Sequence, residues 1–66
     1  MRLKINGEWA EYDGLTMVAE LLARLDLDPL RVAVERNKLI VRRATFGETE
    51  LAENDELEIV TLVGGG

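Results

Sequence analysis

The stretch that decides the fold is Leu57-Glu58-Ile59-Val60-Thr61-Leu62-Val63-Gly64-Gly65-Gly66, an apolar, alternating run that passes without a break into three glycines. Alternation with a period of two is the pattern of a half-buried strand, so residues 57–63 are expected to form the last strand. Glycine has no Cβ, and a run of it can extend through a channel too narrow for other residues while keeping backbone donors and acceptors available. A glycine run can equally be a frayed end or a linker stub. Here Leu62 and Val63 lead into it with no Ser-rich or His-rich segment, so a flexible linker does not begin there. The expected organisation is a domain over residues 1–63 and a flexible glycine tail over residues 64–66, with Gly66 ending in a free carboxylate.

Working back from that strand, Leu3 and Ile5 alternate with Arg2 and Lys4 as a first strand. If the first and last strands pair, Leu3 and Ile5 share a buried face with Leu57 and Ile59, while Arg2 and Lys4 lie near Glu56 and Glu58 on the other. Asn6-Gly7 is a strong hairpin signal, because both residues accept positive φ, and it leads to a second strand from about Glu8 to Tyr12. Trp9, on that strand, reads as a residue at the edge of the core. Thr16 stands just before Met17, Val18, Leu21, Leu22 and Leu25, which share one helical face, so Thr16 is expected to be the N-cap. Asp26, Asp28 and Pro29 are expected to end that helix.

Val32 and Val34 mark a third strand, Asn37-Lys38 a turn, and Leu39 to Val41 a short fourth strand. A single helical turn is expected near Ala44-Thr45-Phe46, with Phe46 plugging the bottom of the core, and Asn54-Asp55 marks another turn. The order β-β-α-β-β-β predicts an α+β fold in which a mixed five-stranded sheet wraps one helix.

Composition limits the chemistry. A chain of 66 residues makes one domain with a thin core, and little room remains for a deep substrate cavity. It has no His and no Cys, which removes the commonest general base, the thiolate nucleophile and the usual soft-metal ligands. An enzyme acting alone is not expected, and neither is a bound metal. Lack of cysteine fits a reducing compartment, and no run approaches the roughly 20 apolar residues of a membrane span, so a cytoplasmic location with no membrane partner is expected.

Net charge is −5, which disfavours nucleic-acid binding through phosphate neutralisation. The middle, with Arg31, Arg36, Lys38, Arg42 and Arg43, is basic. From Ala44 onward all charges are acidic: Glu48, Glu50, Glu53, Asp55, Glu56 and Glu58. An acidic third beside the tail can steer docking to a basic partner surface. The alternation that buries Leu57 and Ile59 puts Val60 and Leu62 on the outer face, with Ala33, as a candidate docking patch.

These features together resemble a known family. The β-β-α-β-β-β order, Asn6-Gly7, Val34-Glu35-Arg36-Asn37-Lys38 and Asp55 through Val60 leading to Gly64-Gly65-Gly66 are similar to the sulfur carrier proteins of thiamine biosynthesis, ubiquitin-like members of the β-grasp superfamily. The resemblance implies that the Gly66 carboxylate is adenylated with ATP by an E1-like partner enzyme and converted to a thiocarboxylate. It implies a sulfur donor such as a cysteine desulfurase and thiazole synthase as the acceptor. Gly65, with Gly64 as an extension of the arm, would give backbone access to the reacting end. A carboxylate with a pKa of roughly 3.3–3.7 is an anion at neutral pH and a poor electrophile, so it needs activation from outside. The chain has no phosphate-binding loop and no thiol, so ATP and sulfur would be handled by partners and the chain itself needs no cofactor. The small subunit of molybdopterin synthase, a non-covalent ubiquitin-like interaction module and a protein modifier remain as alternatives.

Overall fold

The computed structural model describes residues 1–62. The strands are β1 (Arg2–Ile5), β2 (Glu8–Glu11), β3 (Val32–Arg36), β4 (Leu39–Val41) and β5 (Glu56–Thr61), with one helix, α1 (Val18–Arg24), between β2 and β3. They form one sheet in the order β2-β1-β5-β3-β4. The expected element order and mixed sheet are observed, and the last strand in sequence is the middle strand in space. It runs parallel to β1, pairing Lys4 with Glu56 and Ile5 with Leu57, and antiparallel to β3, pairing Val34 with Ile59. β2 ends at Glu11, short of Tyr12, and β5 ends at Thr61. Val63 and the tail at 64–66, with the expected boundary between them, lie outside the described residues.

One sheet face packs on α1. Leu3, Val18, Leu21, Leu22, Val34 and Leu57 are almost wholly buried, and Phe46 belongs to the same buried cluster. Each such side chain contributes about 1.5–3 kcal/mol when removed from water. Both hairpins turn through paired positive-φ residues, Asn6 with Gly7 and Asn37 with Lys38, which matches the right-handed twist of the strands they join. The single helical turn near residue 44 is a 3-10 turn, Arg43–Thr45.

Three local expectations are corrected. Thr16 is not the N-cap; Met17 is, and the carboxylate of Glu20 accepts from the Thr16 and Met17 N–H groups, each at 2.7 Å. The segment after β4 takes over the rest of the capping. The carbonyls of Thr49 and Phe46 accept from the Val18 and Ala19 N–H groups at 2.9 Å, which leaves no orphan donor for a threonine hydroxyl.

Of the three residues expected to end the helix, Asp26 does so, while Asp28 and Pro29 lie beyond it. Asp26 adopts φ 59, its N–H donates to the Ala23 carbonyl at 3.0 Å, and the Leu27 N–H donates to the Leu22 carbonyl at 2.9 Å. That is a Schellman ending with aspartate where glycine is usual. Pro29 instead opens a 3-10 turn, Pro29–Arg31, capped by Asp28.

Trp9 is the third correction. It lies on the open face rather than at the core, 40% exposed, with the Arg2 guanidinium 3.8 Å from its ring centroid. The cause is register: Trp9 pairs with Lys4, and the alternation that buries Leu3 turns Lys4 and its partner outward.

Candidate functional site

The open face of the sheet brings the three expected docking residues together near the end of β5. Ala33 and Val60 are direct cross-strand partners. Leu62 follows on the same side, its N–H donating to the Arg31 carbonyl at 2.7 Å. Val60 is 57% and Leu62 45% exposed, and Ala33 is exposed as well. The other three expected site residues, Gly64, Gly65 and Gly66, lie outside the described residues.

Register adds a residue that sequence reading missed. Glu35 pairs with Glu58 on one side and Ile40 on the other, so Ile40, 78% exposed, shares the face with Val60. The alternation of Leu39, Ile40 and Val41 carried the signal, but three residues are too few to say which face each takes. Glu35 and Glu58 stand directly opposite one another, both exposed, and like charges so placed repel.

Two polar devices fix the strand that leads to the tail. At its start, Asp55 is buried, whereas Glu53, Glu56 and Glu58 around it are exposed. Its Oδ2 accepts from Arg36 Nε at 2.7 Å and from the Ala52 N–H at 2.8 Å, and its Oδ1 accepts from Asn37 Nδ2 at 2.9 Å. Burial pushes the Asp55 carboxyl up, but the hydrogen bonds from Asn37, Ala52 and Arg36 and the Arg36 charge outweigh it and hold the pKa below the ordinary value. Near the other end of β5, the Asn6 side chain bonds the Ile59 backbone twice: its Oδ1 accepts from the N–H at 2.7 Å and its Nδ2 donates to the carbonyl at 3.0 Å.

An open cleft of about 300 Å³ between β4 and the 3-10 turn at Arg43–Thr45 is lined by Arg36, Leu39, Ile40, Val41, Arg42, Thr45 and Thr49. It contains none of the expected site residues. Its two hydroxyl protons are already committed, Thr45 to the Arg42 carbonyl and Thr49 to the Thr45 carbonyl, each at 2.8 Å. No helix among the described residues is long and apolar enough to cross a membrane.

One helix held by a mixed five-stranded sheet, with the first and last strands parallel at its centre, is the ubiquitin-like β-grasp arrangement. The chain matches the ThiS family over residues 3–66 and belongs to it. It is 40% identical to the sulfur carrier protein ThiS of Bacillus subtilis (strain 168), the alignment covering 97% of this chain and 98% of that one. It is 42% identical along its whole length to a thiazole synthase of Magnetococcus marinus, of which it spans only 20%. In structure it is similar to the crystal structure of the thiamine biosynthesis protein (ThiS) from Geobacter metallireducens, with a TM-score of 0.85, 33% identity and full coverage of both chains.

Proposed function

We propose that this chain is a cytoplasmic sulfur carrier for thiamine biosynthesis, a protein cosubstrate rather than an enzyme. The observation that carries the reading is the family match extending through Gly66, on a chain whose central strand ends at Thr61, shortly before that residue in sequence. In the reaction proposed, the Gly66 carboxylate attacks the α-phosphorus of ATP on an E1-like partner, releasing pyrophosphate and forming an acyl adenylate. A persulfide sulfur, supplied by a donor such as a cysteine desulfurase, attacks that carbonyl and expels AMP. A second thiol then cleaves the resulting acyl disulfide, leaving the thiocarboxylate and an oxidised disulfide. Thiazole synthase accepts the sulfur.

The division of labour follows from what the chain has. It lacks cysteine and histidine, so neither a thiolate nor an imidazole base comes from this side of the complex. Its contribution is an unhindered terminus, with Gly64 and Gly65 giving backbone access, and a docking face formed by Ala33, Val60 and Leu62. The B. subtilis relative is named a sulfur carrier protein, and the M. marinus relative that contains a similar segment is named a thiazole synthase; both support the assignment.

The test is intact mass. Incubation with ATP, the activating enzyme and a sulfur source is expected to add ~16 Da, one oxygen exchanged for sulfur, and deletion of Gly66 is expected to abolish the change. A mass that never shifts would overturn the reading in favour of a non-covalent interaction module.

A further inference from the structure

We propose that Asn6 is a positioning residue for the terminal strand: its carboxamide supplies the rung that β1 no longer provides and fixes the line along which β5 leaves the sheet. β1 ends at Ile5 because Asn6 and Gly7 turn the chain toward β2. The main-chain ladder between β1 and β5 therefore stops where the Asn6 N–H donates to the Leu57 carbonyl at 2.9 Å. One step further along β5, the side chain takes over, accepting from the Ile59 N–H at 2.7 Å and donating to its carbonyl at 3.0 Å. A carboxamide carries the same C=O and N–H groups as a peptide unit, so it can stand in for backbone. Asparagine also tolerates the left-handed conformation found here, φ 50, so one residue makes both the turn and the clamp.

The two flanks of β5 are unequal beyond this point. Toward β3 the ladder continues to the bond between Leu62 and Arg31. Toward β1 the carboxamide at Ile59 is the last tie among the described residues, and Val60 follows immediately. Without the clamp, β5 is held near its end from one side and can pivot about its pairing with β3. This inference rests on the carrier reading, in which Val60 and Leu62 dock while the tail reaches another enzyme's site. Reactions of that kind are sensitive to placement, and a misplacement of about 1 Å can cost about a hundredfold in rate.

The experiment uses the full chain as the substrate of its activating enzyme, well below its unfolding temperature. Asn6→Gly keeps the left-handed turn and removes the carboxamide; Asn6→Asp keeps an acceptor for the Ile59 N–H but loses the donor. Val18→Ala, a core substitution in α1, serves as a control for destabilisation alone. Asn6→Gly is expected to lower kcat for adenylation about ten- to a hundredfold with KM within about twofold, Asn6→Asp to recover part of the loss, and Val18→Ala to leave kcat unchanged. Amide exchange at Ile59 and Leu62 is expected to accelerate in Asn6→Gly beyond the global change. Parent-like turnover by Asn6→Gly, or an equal loss in Val18→Ala, overturns the positioning role while leaving the carrier reading intact. A parent chain that is never adenylated overturns the carrier reading instead, and unchanged exchange at Ile59 and Leu62 separately overturns the clamp.

Discussion

Half-buried Arg36 and buried Asp55 form an ion pair that ties the end of β3 to the residue just before β5, with Nε and Oδ2 2.7 Å apart. Asn37 and the Ala52 N–H complete the carboxylate's bonds, so all three contacts fail together if the acid is removed. Asp55→Ala is therefore expected to destabilise the domain by about 3 kcal/mol or more, because it strands a half-buried guanidinium. Urea unfolding measures this, and Asp55→Asn should fall between the parent and Asp55→Ala.

Acid sensitivity follows from the same carboxylate. Its pKa is lower in the folded chain than in the unfolded one, so ionisation favours folding. The contribution is complete above the unfolded value of roughly 4 and is lost as pH falls through the depressed folded value. Thermal unfolding between neutral and strongly acid pH should show stability declining through that window, with a shallower decline in Asp55→Asn. Equal slopes in the two proteins would place the acid sensitivity elsewhere.

Asp26 occupies a left-handed position that glycine fills without a steric cost. Asp26→Gly is expected to raise stability by about 1 kcal/mol, since the Schellman bonds are made by the backbone and survive the change. A lower melting temperature for this variant would show that the aspartate side chain contributes more than its strain removes.

In the proposed reaction, the outward-facing end of β5 separates folding from docking. Val60→Asp and Leu62→Asp should leave the melting temperature nearly unchanged yet weaken binding to the activating enzyme, as titration calorimetry would detect. Leu57→Ala, at a residue 1% exposed, should instead cost about 2–5 kcal/mol. Unfolding of the two aspartate variants would contradict the register seen here.

Glu35 and Glu58 face one another across β3 and β5. Relieving their repulsion with Glu58→Gln should stabilise the chain by about 0.2–1 kcal/mol, more at low salt than at high salt. A salt-independent effect would mean that the two carboxylates do not interact.

Features set by neighbours in sequence were legible without coordinates. Asn6-Gly7 and Asn37-Lys38 specify their own turns, and the alternation of Leu57 and Ile59 with Glu58 and Val60 correctly assigned faces. What could not be read depends on distant partners. Thr16 looked like a cap because nothing local reveals that the Thr49 and Phe46 carbonyls would satisfy the first turn. Asp55 looked like surface charge because its partner Arg36 lies 19 positions away, and the side chain of Asn6 meets Ile59 across 53 positions. Trp9 followed hydrophobicity in the reading and register in the structure. Of the candidate site, the grouping of Ala33, Val60 and Leu62 was visible from alternation, whereas Ile40 needed the β3–β4 pairing to place it.

That the sheet is completed by Glu56–Thr61 between β1 and β3 bears on how the molecule is made. Ribosomes deliver the flanking strands first, and until the final strand emerges the leading hairpin and the Val32–Val41 hairpin have no common partner. A product that stops before Glu56 would consequently lack the strand that lies between β1 and β3, so Leu3 and Val34 lose a shared neighbour and quality control meets a polypeptide without its middle strand.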